Sequence, residues 1–158
     1  MSHVNDLHSL RMQHAIKLAQ KAFDAGEVPI GAVVVDEHGA IIGRGFNRVE
    51  QRNSQTAHAE IIAIAQAGKK RDDWRLGNCW LYVTLEPCAM CMNLSLLSRL
   101  SGVVYGAASP LFGYHLDNEL SFQLYKKRVL EIIPGVKADD AARLLRQFFL
   151  KKRMGTRE

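Results

Sequence analysis

The run CWLYVTL at residues 79–85 is β-branched and aromatic enough to form a buried strand. A buried strand needs other strands beside it and cover on both faces, and the rest of the chain offers both. PIGAVVVDEHGAIIGRGFN reads as two strands, at about 30–36 and 40–46, joined by a turn around His38-Gly39. GVVYGA at 102–107 and VLEII at 129–133 are further strands. Between them lie helical segments. Residues 7–25 place Met12, Ala15, Ile16, Ala19, Ala22 and Phe23 on one face, and Gly26 ends that helix. Other helices are expected from His58 to about Gly68, from Ala89 to about Leu100 and over roughly 138–153. The last has Ala141, Leu144, Leu145, Phe148 and Phe149 on its packing side. RVEQRNSQTA at 48–57 is polar and loop-like. The order α-ββ-α-β-α-β-(α)-β-α predicts an α/β protein with one sheet covered by helices, a single domain over 1–158. No linker, low-complexity tract or internal repeat divides it.

No basic segment leads into an apolar one at the start, so no signal peptide is expected, and no stretch approaches the ~18 apolar residues of a membrane span. Cys79, Cys88 and Cys91 are too few and too close for a secreted disulfide framework, which points to a reducing cytoplasm. The net charge of +5 is concentrated in one place. Residues 143–158 hold Arg143, Arg146, Lys151, Lys152, Arg153 and Arg157 against Glu158 alone, leaving 15 basic and 15 acidic side chains before them. A basic terminus of this kind is an electrostatic footprint for a polyanion, or a solvated helix end complementing its dipole.

TAHAE at 56–60 puts a histidine and a glutamate two residues apart at the start of an apolar helix. Side chains at that spacing diverge on a helix, so His58 and Glu60 share a site only if it lies beyond the first turn. LEPCAMCM at 85–92 then provides two thiols, Cys88 and Cys91, on one face at i and i+3, with Pro87 suited to a first helical position. Thiolate is favoured near helix N-terminal amides. One histidine and two thiolates suit zinc and leave one of four tetrahedral positions open, where water becomes nucleophilic. Glu60 is placed to take that water's proton. Two other readings stand beside this one: buried structural thiols, or a closed zinc site with Cys79 as fourth ligand. Glu60 favours the catalytic one.

The order H-A-E at 58–60 and P-C-A-M-C at 87–91 resembles the zinc-dependent nucleobase deaminases. More closely, EVPIGAVVV, GFNR, TAHAE, LYVTLEPCAMC and QFFLKKR are similar to the bacterial tRNA-specific adenosine deaminases over most of the chain. The resemblance implies a three-layer α/β/α cytidine-deaminase-like fold around a mixed five-stranded sheet. It implies one Zn²⁺ per subunit held by His58, Cys88 and Cys91, with Glu60 as the catalytic proton shuttle and Asn47 hydrogen-bonding a flipped base. It implies a homodimer whose active sites draw on both subunits, and deamination of the wobble adenosine in a tRNA anticodon stem-loop to inosine.

Phe148, Phe149, Lys151, Lys152 and Arg153 are candidates for RNA contact, with core packing the competing role for at least one phenylalanine. Lys126-Lys127-Arg128 would extend the basic surface, or form a solvated helix end. The chain departs from the family after the strand ending near Gly106, where ASPLFGYHLDNELSF replaces a short polar loop. That loop, 108–119, is expected to border the substrate. His115 within it receives no role. A small-molecule deaminase acting on guanine or cytosine, and a non-catalytic zinc-stabilised RNA-binding module, are the alternative functions.

Overall fold

The computed structural model describes residues 2–116 and 130–156. Lys126, Lys127 and Arg128, the optional helix before the last strand, residues 117–119 of the divergent loop, Val129, Arg157 and Glu158 lie outside them.

Chain order gives α1 (Ser2–Asp24), β1 (Gly31–Val35), β2 (Ile41–Phe46), α2 (Val49–Arg52), α3 (Ala59–Arg71), β3 (Trp80–Leu85), α4 (Ala89–Leu97), β4 (Gly102–Ala107), a 3-10 turn (Tyr114–Leu116), β5 (Glu131–Ile133) and α5 (Ala138–Gly155). The five strands form one mixed sheet in the order β2-β1-β3-β4-β5. β1 runs antiparallel to β2 and β3, while β3, β4 and β5 are parallel. CWLYVTL is thus the central strand, and its residues alternate between two cores. Leu81 and Val83 join Ala32, Val34, Ala63 and Met92 beneath α3 and α4, whereas Tyr82 joins Val33, Val35, Met12 and Ala15 beneath α1. Helices therefore cover both faces, as the three-layer expectation requires.

Close approach of α3 to β2 fixes the end of α3 that matters. A Cβ on Gly43 would lie 2.1 Å from the Ala63 carbonyl oxygen, and one on Gly45 would lie 2.3 Å from that of Ala59. Only glycine fits at either place, so the alternating glycines of IIGRGF let α3 rest directly on the strand. Ala59, Ala63 and Ala67 form the matching smooth stripe, and all are fully buried.

Two local expectations change. The polar segment 48–57 contains the one-turn helix α2, closed by Asn53 in the left-handed region (φ 48°) and capped from a distance by Glu27. Pro87 is not the first residue of α4: Cys88 is its N-cap, with extended backbone (φ −71°, ψ 170°), and helical residues begin at Ala89.

Candidate active site

His58 is the N-cap of α3 and Cys88 the N-cap of α4, both with extended backbone, so each side chain projects past a helix end. Cys91 lies in the first turn of α4 and Glu60 in the first turn of α3. The two N-termini converge. His58 Nδ1 is 3.7 Å from Cys88 Sγ and 3.5 Å from Cys91 Sγ, and the three ligand atoms lie within 4.8 Å of one another. Tetrahedral zinc with Zn–S near 2.3 Å and Zn–N near 2.0–2.1 Å requires an S···N edge of about 3.6 Å. The cradle already has that spacing, so the residues fit the ion.

Cys79 is not a fourth ligand. It precedes β3, the whole length of that strand away from Cys88, and is completely buried with Arg71 Nη1 donating to its sulfur at 2.7 Å. Burial pushes its thiol up, against the pull of Arg71. Arg71 is itself paired with Glu37 at 3.2 Å. The closed-site reading fails on geometry.

Charge at the cradle is arranged for metal binding. The Cys88 thiol is lowered to about 4, first by the Cys91 thiol donating to it, then by His58 and by the Cys91 backbone N–H, against the opposing effect of burial. Cys91 moves upward, because it donates to the Cys88 thiolate and is buried beside Glu60. His58 is raised, chiefly by its hydrogen bond with Cys88, with burial opposing. Zinc is held by thiolates, so its binding would be accompanied by loss of thiol protons. Glu60 is 4 % exposed, and burial raises its carboxyl to about 6 even though its own backbone N–H, His58 and the Cys91 thiol pull it down. A carboxyl group poised near neutrality accepts and returns a proton at working pH.

Two further glutamates, unmarked in the sequence, hold the surrounding loops. Glu27, 1 % exposed, accepts the Gln51 N–H at 2.7 Å and the Glu50 N–H at 3.1 Å. This fixes the loop that the Arg48 N–H closes onto the Ala57 carbonyl at 3.0 Å, immediately before His58. Glu86 accepts the Ser109 N–H at 3.2 Å, the His115 N–H at 3.2 Å and a hydrogen bond from His115 Nδ1 at 2.5 Å. It thereby ties the loop after β4 to the residues just before Cys88. His115 has a role after all, as a clamp.

Asn47, directly after β2, is buried, with Nδ2 donating to the Val28 carbonyl and Oδ1 accepting from the Val49 N–H, both at 3.3 Å. These are long bonds, and each amide atom retains capacity for another partner. The terminal candidates separate. Phe148 is 4 % exposed and packs edge-on against Phe23, so its ring is core and unavailable to a base. Phe149 is 46 % exposed. Lys151, Lys152 and Arg153 are exposed, with the Lys151 ammonium over the Phe23 ring at 5.7 Å. Phe23 lies at the C-terminal end of α1, so the basic end of α5 is held against that end of α1.

Residues 5–107 match the family model described as the cytidine and deoxycytidylate deaminase zinc-binding region. The chain is 43% identical over 143 residues to the tRNA-specific adenosine deaminase of Haemophilus influenzae, covering 90% of this chain and 83% of that one. It is similar in structure to a protein solved in work on A-to-I editing by tRNA:A34 deaminases at the wobble position of transfer RNA. That likeness has a TM-score of 0.77 and 35% identity, over 85% of this chain and 98% of the other. It also resembles the guanine deaminase of Nitrosomonas europaea, with a TM-score of 0.79 and 28% identity over 89% and 83% of the two chains. With its ligand atoms spaced for zinc at two converging helix ends, the chain belongs to the cytidine and deoxycytidylate deaminase zinc-binding family.

Proposed function

We propose that this protein hydrolyses adenosine to inosine at the wobble position of a tRNA anticodon loop. The observation that carries the reading is Glu60, buried and raised to about 6 beside a three-ligand cradle to which the described residues add no fourth ligand. A purely structural metal site has no use for such a carboxyl group. The relatives named for tRNA adenosine deamination supply the substrate class.

Zinc held by His58, Cys88 and Cys91 supplies a Lewis acid that makes water acidic near neutral pH. Glu60 takes a proton from the attacking water and passes it to N1 of adenine as oxygen bonds to C6. It then carries the second proton to the exocyclic amine, which leaves as ammonia, and the base becomes hypoxanthine. Asn47 orients the flipped base through the unused capacity of its amide. Phe149, Lys151, Lys152 and Arg153 contact the stem-loop by stacking and phosphate pairing.

The enzyme acts as a homodimer. The resemblance to the tRNA-specific adenosine deaminases is what supports this pairing of two copies. Its three unpaired cysteines suit the reducing cytoplasm. No helix among the described residues is long and apolar enough to cross a membrane.

The likeness to a guanine deaminase favours free guanine as the second reading. The test is to incubate zinc-loaded protein with a stem-loop carrying wobble adenosine, and separately with free guanine, cytosine and cytidine. Inosine in RNA alone is the expected result, and turnover of a free base alone contradicts the proposal. RNA affinity should also fall with added salt, with a log–log slope reduced by about 1 for each tail cation that pairs a phosphate and is removed.

A further inference from the structure

Glu27 is almost completely buried, which is rare for a glutamate that has no cationic partner. Its two oxygens are used separately: Oε1 accepts the Gln51 N–H at 2.7 Å and Oε2 the Glu50 N–H at 3.1 Å. Both donors belong to α2, whose N-cap residue Arg48 makes no side-chain cap of its own. A carboxylate serves two such donors at once, whereas the amide of glutamine has a single oxygen. Among the described residues Glu27 makes no hydrogen bond to a zinc ligand.

What this pair of bonds controls is the spacing between two functional side chains. Residues 48–57 form a closed ring, because the Arg48 N–H donates to the Ala57 carbonyl at 3.0 Å. Asn47 precedes the ring and His58 follows it, so its mouth joins the base-orienting amide to a zinc ligand. The seat of the ring is the segment that Glu27 begins. The Asn47 N–H donates to the Ile30 carbonyl at 3.0 Å, and Asn47 Nδ2 to the Val28 carbonyl at 3.3 Å. The Gly31 N–H donates to Thr84 Oγ1 at 3.1 Å, on the strand that leads to Cys88. On the other face α1 presses so close that a Cβ on Gly31 would lie 2.0 Å from the Ala15 carbonyl oxygen. Residues 27–31 are therefore fixed against α1 and β3, and Glu27 extends that frame to the ring. We infer that Glu27 is a positioning residue for the deamination, setting the Asn47 amide relative to the zinc cradle by docking the 48–57 ring. The inference rests on the function proposed above and on the part given there to Asn47.

The test is a double-mutant cycle with zinc-loaded parent, Glu27→Gln, Asn47→Ala and the two combined, on a stem-loop with wobble adenosine. Single-turnover assays read kcat/KM even where activity is weak. Glu27→Gln should keep one zinc per chain while kcat/KM falls about ten- to a hundredfold, the cost of a small misplacement at a reacting centre. In the Asn47→Ala background the same change should cost less than about twofold, because the group it positions is gone. Amide exchange at Arg48 should quicken in Glu27→Gln as the ring loosens. Should that variant fail to fold, Glu27→Asp, one methylene shorter, repeats the cycle with the charge retained. Losses that simply add overturn the inference, since Glu27 then supports the fold without acting through Asn47. Loss of zinc, an unchanged kcat/KM or unchanged exchange at Arg48 overturns it as well. A parent that deaminates a free base and no RNA refutes the functional reading alone, and the same cycle on that base still decides the role of Glu27. A parent inactive on every substrate removes both.

Discussion

Glu60 and Glu86 are each 4 % exposed, and both sit at the ends of elements that build the same site. Glu86 is saturated by the loop after β4, accepting from two backbone N–H groups and a histidine ring. Glu60 is served by its own backbone N–H and the Cys91 thiol, and burial raises it to about 6. Equal burial therefore yields opposite uses. A carboxylate ringed by donors becomes a fixed strut. One buried with few donors beside a metal cradle keeps its proton affinity near neutral and is available for transfer.

The largest expected effect comes from testing the proton-transfer role proposed for Glu60. Glu60→Gln should retain zinc at the parental stoichiometry while kcat falls by roughly 10²–10⁴-fold, the usual worth of general acid–base assistance. Metal analysis and single-turnover assays on one preparation check both halves. Near-parental turnover would remove Glu60 from the chemistry.

A smaller effect should follow from the strut. Glu86→Gln places an amide where three donors converge, and one of them must lose its acceptor. Stability should drop by about 1–3 kcal/mol, the cost of one unsatisfied buried group, without loss of zinc. Denaturant unfolding measures it, and amide exchange should rise first at Ser109 and His115. An unchanged midpoint would mean that the loop is held by something other than Glu86.

The contrast sharpens at a third buried ionisable group, remote from the site. His8 is 9 % exposed and shares the Tyr82 hydroxyl, at 2.9 Å, with Arg11 at 3.0 Å. Burial and then Arg11 lower its pKa from 6.5, with Glu131 opposing. Its unfolded form binds more protons near pH 6, so the stability it contributes is complete above pH 6.5 and is lost as pH falls through the lower folded value. His8→Gln retains an acceptor without titrating, and its acid-side loss of stability should be flatter than the parent's. Parallel curves would contradict the assignment.

Much of this was legible in the sequence, for reasons that can be named. His58, Cys88 and Cys91 announce themselves because metal ligands are side chains of few types at restricted spacings, and the structure brings all three together. The sheet was legible because its strands are apolar runs set between helical periods. Glu27 and Glu86 were not, because their partners are backbone N–H groups distant in sequence, which any residue supplies. The restraint from Glu27 also explains why 48–57 contains a helical turn where its composition reads as loop. Phe148 and Phe149 could not be told apart, since neighbours on a helix differ by about 100° and either could have faced the sheet. The packing against Phe23 decides it.

The measurement that bears most directly on the central claim is zinc-edge X-ray absorption on the purified enzyme, with stoichiometry from elemental analysis. One zinc per chain, bound by two sulfurs at about 2.3 Å, one imidazole nitrogen and one light atom from solvent, is the predicted first shell. A third sulfur or second imidazole, or no stoichiometric zinc, would contradict it.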